Sequence, residues 1–312
     1  MKLRIGSRGS QLARWQANHI AALLRGQGHT VEIEIIKTTG DRLQEVTFAQ
    51  VGSKGMFTKE IEEALANGRV DLAVHSLKDL PTELPEPFAL AATPPRVDPR
   101  DVFVSVKYAS VADLPQGAKV GTSSQRRKAQ LKALRPDIEA IEFRGNVDTR
   151  LRKLAEGQVD AILLAAAGLD RLEKTEWVRE RLAPKEFCPA AGQGSLGIET
   201  RKDDAATIAA VAFLDDADTR FAVSVERAAL AALGGGCQVP IGVHCRLCAE
   251  GVEIYAVVAA PETGMAVRVF ETARRTGSDP VAMGQSIAEK LRQAGAGPLL
   301  ESAAQPSAGA SA

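Results

Sequence analysis

The residues most able to do chemistry fall into three groups, and the first is basic. Between Gly121 and Lys153 stand nine cationic side chains (Arg126, Arg127, Lys128, Lys132, Arg135, Arg144, Arg150, Arg152 and Lys153) against four anionic ones (Asp137, Glu139, Glu142 and Asp148). Their placement is more informative than their number. Gly121-Thr-Ser-Ser124 follows a strand-like segment and opens a helix-like one, where backbone N–H groups and hydroxyls suit an anion. Arg126 and Arg127 then fall in the first helical turn, where the helix dipole disfavours cations unless an anion offsets them. Arg144-Gly-Asn146 repeats the arrangement after the next strand, with Arg150 one turn on. Arginine forks bind carboxylates bidentately, so a polyanionic, carboxylate-rich ligand is expected.

The second group is His75-Ser-Leu-Lys-Asp79 at the carboxyl end of the apolar strand around Val70 to Val74. An aspartate beside an arginine-lined cleft does not serve an anionic ligand. It is expected to serve a cation or a positively charged transition state, which makes Asp79 the candidate for the chemical step. The third group is Cys237, closing Leu233-Gly-Gly-Gly-Cys. Locally the glycines read as a helix stop and the thiol as ordinary packing. Glycines also leave room beside a sulfur, and a thiolate is a competent nucleophile.

Other chemistries are less well supplied. Lys plus Arg and Asp plus Glu each total 39, so the global charge is silent about partners. Phe143 is the single aromatic residue in the basic stretch, too few stacking platforms for RNA. No GxxxxGK[ST] loop or strand-linked GxGxxG is present. Cys245-Arg-Leu-Cys248 has CxxC spacing, but His19, His29, His75 and His244 offer no matching pair, so no metal is expected. Neither a secretory apolar segment nor a run approaching ~20 apolar residues appears, so a cytoplasmic protein without membrane contact is expected.

These groups require elements to hold them. Lys2 to Ile5 and Val31 to Lys37 read as strands, with a helix from about Gln11 to Arg25 capped by Ser10. A helix opened by Thr58 ends at Asn67-Gly68 and leads to the strand Val70 to Val74. Repeated β-α-β implies a mostly parallel sheet with helices on both faces. A Pro-rich hinge, Thr93 to Arg100, precedes a second α/β unit. Its strands are read at Lys119–Gly121, Ile138–Phe143 and Asp160–Ala165, and its helices at Gln125–Leu134 and Asp148–Glu156. Cys188 to Gly197 reads as a second crossover. A third unit begins with a helix at Thr219–Leu233, followed by strands near Val252–Ala259 and Ala266–Glu271 and a helix near Ala282–Gln293.

Taken together, the segments closely resemble the porphobilinogen deaminase (hydroxymethylbilane synthase) family almost from end to end. The resemblance is carried by Ser7-Arg-Gly-Ser10, Val51-Gly-Ser-Lys-Gly55, Ala73-Val-His-Ser-Leu-Lys-Asp79, Gly121-Thr-Ser-Ser-Gln-Arg-Arg127 and Arg144-Gly-Asn-Val-Asp-Thr-Arg150. It continues in Asp160-Ala-Ile, Ala167-Gly-Leu-Asp-Arg171, Pro189-Ala-Ala-Gly-Gln-Gly194, Glu226-Arg-Ala and Leu233-Gly-Gly-Gly-Cys-Gln-Val-Pro240. It implies an α/β fold of three domains. The first two, residues 1–94 with 195–214 and residues 100–189, would be like a two-lobed (type II) periplasmic-binding protein. A smaller α+β domain, 217–300, would carry the cofactor cysteine, and 301–312 would be a flexible tail.

The activity implied is the head-to-tail condensation of four porphobilinogen molecules on a dipyrromethane cofactor, with loss of ammonia and final hydrolysis to hydroxymethylbilane. By resemblance, a thioether to Cys237 holds the cofactor and Asp79 is catalytic. Lys78, Ser124, Arg126 and Arg127, with Asp79, would bind the cofactor. Arg8, Ser10, Arg144, Arg150, Arg171, Gln193, Lys54 and Lys59 would bind substrate, and a monomer is implied. The alternative on the residues is a non-enzymatic two-lobed binding protein for a polycarboxylate ligand.

Overall fold

The computed structural model describes residues 1–39, 58–235 and 239–304. The chain opens with β1 (Lys2–Ser7), α1 (Gln11–Gly26), β2 (Thr30–Ile35), α2 (Lys59–Ala66) and β3 (Leu72–Ser76). A single 3-10 turn, Leu77–Asp79, follows β3, and β4 (Phe88–Ala92) completes this stretch. Helix α1 starts where Ser10 accepts a hydrogen bond from Ala13 N, as its capping chemistry predicts. Gln16, Ala17, Ile20, Ala21 and Leu24 form its buried stripe, one face of a 3.6-residue helix. Leu3, Ile5, Ile20, Leu24 and Leu72 have no exposed surface. Burying such a side chain contributes about 1.5–3 kcal/mol each.

The hinge leads into β5 (Asp101–Val104), β6 (Lys119–Gly121), α3 (Gln125–Leu134), β7 (Glu139–Ile141), α4 (Val147–Ala155), β8 (Ala161–Ala165), α5 (Ala166–Arg171) and β9 (Val178–Arg181). The chain then returns as β10 (Leu196–Arg201) and α6 (Ala205–Val211). Two five-stranded sheets result, ordered β2-β1-β3-β10-β4 and β7-β6-β8-β5-β9.

The expected mostly parallel sheet is corrected here. β1 pairs in parallel with β2 and β3, and β6 with β7 and β8. In contrast, β10 runs antiparallel to β3 and β4, and β5 runs antiparallel to β8 and β9. Each sheet is mixed because the chain crosses between lobes twice. A strand entering from the other lobe need not follow the β-α-β direction.

Beyond β10 come α7 (Ala217–Ala232), β11 (Ile241–Cys248), β12 (Gly251–Ala259), β13 (Ala266–Ala273), α8 (Pro280–Leu291) and α9 (Gly297–Ala304). Strands β11, β12 and β13 form a small antiparallel sheet. Its core joins Val225, Ala229, Ile254, Val258, Ile287 and Leu291. This is the expected α/β architecture of two lobes with a smaller α+β body. Glu301 to Ala304 belong to α9, and the rest of the expected tail, 305–312, lies outside the described residues.

The two crossovers run side by side. Val97 N donates to Gly194 O at 3.3 Å. Gly194 has φ +90°, and a Cβ there would lie 2.6 Å from the Val97 carbonyl oxygen, so no other residue fits without movement. Glu226 on α7, fully buried, ties all three bodies together. It accepts from Arg96 of the first crossover at 2.6 Å, from Gly192 N of the second at 2.7 Å and from Cys245 N of β11 at 2.8 Å.

Candidate functional site

Five parallel strands of the two large sheets end at residues that the sequence reading singled out. Arg8 and Ser10 follow β1, and Lys78 with Asp79 form the turn after β3. Ser124, Arg126 and Arg127 follow β6, Arg144 and Arg150 follow β7, and Arg171 closes the helix after β8. Ligands in open α/β sheets bind beyond such carboxyl ends.

The centre of the site is an electrostatic knot. Asp101, the first residue of β5, is fully buried. Its Oδ2 accepts from Arg126 Nη1 at 2.6 Å and its Oδ1 from Arg127 Nε at 2.8 Å. Arg126 Nη1 also reaches the Cys188 carbonyl at 2.7 Å, and Arg127 Nη1 reaches the Leu163 carbonyl at 3.1 Å. The arginines in the first turn of α3 therefore already have an anion. It is a residue of the chain itself, 25 positions before Arg126. The inference that such arginines require a bound anion is corrected to that extent, because the offsetting carboxylate is internal.

One carboxylate does not balance the site. Burial followed by the Arg127 charge brings the Lys78 ammonium down to about 8. Burial, then the same Arg127 charge, brings Arg150 down to about 10. Arg127 is also lowered, chiefly by burial. Burial alone would raise Asp101, but Arg126 and Arg127 outweigh it and hold the carboxyl well below the usual range. The Asp79 charge acts on Lys78, Arg127 and Arg150 alike, so these four groups share one field. Asp79 itself is exposed, at the open end of its turn.

The remaining predicted residues differ in what already occupies them. The Ser10 and Ser124 hydroxyls cap α1 and α3, Ser124 accepting from Arg127 N at 3.4 Å. Arg144 Nε donates to Glu142 at 2.7 Å. Arg150 Nε is buried with no hydrogen-bond partner among the described residues. Gln193 is fully buried, donating to Asp101 and to the Pro99 carbonyl and accepting from Lys78 Nζ at 3.2 Å. Arg171 is lowered to about 10 by burial, donates to the Gly194 carbonyl at 2.8 Å and lies 6.0 Å from the Trp15 ring. Arg8 is half-buried at the sheet edge, and Lys59 is exposed at the start of α2. Cys237 and Lys54 lie outside the described residues.

The approach to Cys237 is described up to Gly235. Helix α7 runs towards it, and its Arg227 donates to the carbonyls of Pro81 at 2.6 Å and Thr82 at 3.0 Å. The helix that leads to the cysteine thus braces the loop just after Asp79. On β11, Cys245 is buried and Cys248 exposed, as the two-residue period of a strand dictates for positions three apart.

The sequence reading missed Asp101, Gln130 and Arg227. Gln130 clamps the second crossover, donating to Cys188 O at 2.9 Å and accepting from Cys188 N at 2.7 Å. Nothing local marks these residues, since each acts on a partner distant in sequence. The available signal was the arginine pair itself, whose counter-charge could have been sought among the chain's own acids. The donor set fits a carboxylate-rich dipyrromethane: cations in excess of anions, Lys78, Arg127, Arg150 and Arg171 among them held at depressed affinity for their protons, and a buried Arg150 Nε without a partner among the described residues.

Comparison with known proteins agrees with this chemistry. "Porphobilinogen deaminase, dipyromethane cofactor binding domain" matches residues 3–209, and "Porphobilinogen deaminase, C-terminal domain" matches residues 220–293. A porphobilinogen deaminase of Trichlorobacter lovleyi is 48% identical over 302 residues, covering 96% of each chain. One from Nitratidesulfovibrio vulgaris is 49% identical over 309 residues, again covering 96% of each. Among solved structures, the methionine-binding protein MetQ aligns with 72% of this chain and 94% of its own, at 12% identity and a TM-score of 0.45.

Proposed function

The chain belongs to the porphobilinogen deaminase family, and we propose that it condenses four porphobilinogen molecules head to tail on a dipyrromethane held by Cys237. Each addition releases ammonia, and hydrolysis frees the linear hydroxymethylbilane. When bound, the dipyrromethane supplies the nucleophilic pyrrole carbon from which growth starts.

Lys78, Ser124, Arg126, Arg127 and Asp79 are assigned to the cofactor, and Arg8, Ser10, Arg144, Arg150, Arg171, Gln193, Lys54 and Lys59 to substrate. Acetate and propionate groups suit the guanidinium forks of Arg127 and Arg150. Loss of ammonia from porphobilinogen leaves an electrophile that is cationic when protonated. The observation that carries the reading is the contrast between two aspartates. Asp101 is buried and consumed by two arginines, whereas Asp79 is exposed within the same field. A carboxylate so placed can accept pyrrole N–H bonds, stabilise the positive charge and move protons.

Among the described residues no helix is long and apolar enough to cross a membrane. The free thiols of Cys188, Cys245 and Cys248 support a reducing, cytoplasmic setting, and the chain is proposed to act as a monomer.

Intact mass and steady-state turnover test the reading together. Wild type should carry a mass increment of two pyrrole units, which Cys237→Ser should lack. Asp79→Asn should keep the increment while turnover falls by about 100- to 10,000-fold. Normal turnover in Asp79→Asn would remove the aspartate from the mechanism. Binding of porphobilinogen by wild type without its consumption would favour the polycarboxylate-binding reading instead.

A further inference from the structure

Asp101 gathers Arg126, Arg127 and Gln193 while itself fully buried. Its carboxylate receives Arg126 at both oxygens, at 2.6 and 3.1 Å, and Arg127 Nε at 2.8 Å. It also receives Gln193 Nε2 at 3.1 Å. Gln193 passes the contact on, since its Oε1 accepts from Lys78 Nζ at 3.2 Å. Through a single amide, the first residue of the second lobe's sheet therefore reaches the first lobe's turn that carries Asp79. Gln193 lies in the return crossover, so the relay bridges the two lobes where the chain joins them.

The two arginines are held in different ways. Arg126 donates to Asp101 and to the Cys188 carbonyl, tying α3 to the crossover. Arg127 gives Asp101 its Nε, keeps Nη2 at ion-pair distance of 2.8 Å from the same carboxylate, and gives Leu163 O a hydrogen of Nη1. A guanidinium carries five N–H donors and these two bonds use two, so hydrogens on both Nη atoms of Arg127 remain for a ligand. An arginine gripped by one edge presents the other edge in a fixed orientation, and fixed donors are what accelerate a reaction in which charge moves.

We propose that Asp101 is a positioning residue for the reaction assigned above, on which this inference rests. It holds the Arg127 fork and, through Gln193, the Lys78 ammonium in the geometry that receives ligand carboxylates. The charges acting on Lys78 are Arg127 and Arg126 on α3, Asp101 on β5 and the neighbouring Asp79. Both aspartates favour the ammonium and both arginines oppose it. Removing the Asp101 charge therefore makes Lys78 lose its proton at lower pH.

The test uses full-length Asp101→Asn and Asp101→Glu beside wild type. It reads thermal midpoint, the share of protein with the two-ring mass increment, and kcat and KM of the loaded share across the Lys78 titration. Asp101→Asn should lower the loaded share, reduce kcat about 100-fold and move the alkaline limb of kcat to lower pH. Asp101→Glu keeps the charge but displaces it by one methylene, so kcat should fall while the alkaline limb stays in place. A loaded Asp101→Asn with wild-type kcat and pH profile, whatever its thermal midpoint, overturns the proposal. Should Asp101→Asn fail to fold, wild-type kcat in folded Asp101→Glu overturns it equally. A wild type lacking both increment and turnover would instead sink the functional reading.

Discussion

Arg126 and Arg150 both stand near the start of a helix that follows a strand of the second sheet, yet the chain treats them oppositely. Arg126 sits in the first turn of α3 with its guanidinium against Asp101 and a backbone carbonyl, 4% exposed. Arg150 sits one turn into α4 with a buried Nε that no described residue engages, and its hold on its proton is reduced by burial and by Arg127. Both positions satisfy the same rule, that a cation near a helix N-terminus calls for an anion. The rule does not say whose anion. At Arg126 the chain supplies it, whereas at Arg150 the proposed function assigns it to a ligand.

The largest test of that contrast is to remove each arginine in turn. Arg126→Leu breaks a buried ion pair and should cost about 3–5 kcal/mol of stability, at the lower end because Arg127 and Gln193 still face Asp101. Arg150→Leu removes a half-buried cation whose Nε has no hydrogen-bond partner among the described residues, so its stability in denaturant should match or exceed wild type, with kcat/KM down about 100-fold. If instead Arg150→Leu unfolds the protein and Arg126→Leu only slows it, the assignment of internal and external anions is reversed.

How much of this was legible beforehand follows the same division. Local signals located the strand ends well: Lys119–Gly121 and α3 (Gln125–Leu134) were read with the bounds observed, and Ser10 caps α1 as its chemistry requires. The residues that follow those strands were legible as a basic set gathered at the strand ends. What was not legible depends on partners far along the chain. The mixed order of the first sheet arises because β10 (Leu196–Arg201) joins it only after the whole second lobe has been built. Strand β11 was missed because Ile241–Cys248 faces buried surroundings on both sides in its first half, so it lacks clean alternation. Asp101 was missed because a lone acid behind a Pro-rich hinge carries no local mark of the two arginines it will meet.

A smaller effect sharpens the account of Asp101. Its carboxyl is held well below the usual value in the folded state, so its stabilisation is full above the unfolded pKa of about 4. That stabilisation is lost progressively as pH falls from there towards the depressed folded value. The gap in thermal midpoint between wild type and folded Asp101→Asn should thus be widest near neutrality and narrow steadily in acid. A protonated aspartic acid and an asparagine are then both neutral. A gap independent of pH would mean that shape rather than charge holds the arginines.

The smallest expected effect concerns the cysteines, where the same distinction between satisfied and open groups recurs. Cys188 is buried, its Sγ lies 3.3 Å from the Tyr255 carbonyl, and burial pushes its thiol up to about 12. Cys245 is buried and likewise pushed up to about 12, whereas Cys248 is exposed. Thiolate and access together set reactivity. In native, loaded protein an alkylating reagent should modify Cys248 and spare Cys188 and Cys245, with turnover unchanged. Cys237 should be silent for a different reason, since a thioether sulfur has no proton to lose. Labelling of wild type and Cys237→Ser under native conditions should therefore be equal, although the mutant lacks the two-ring mass. One label fewer in Cys237→Ser would show that the thiol is free in wild type. The tether would then have to be sought elsewhere.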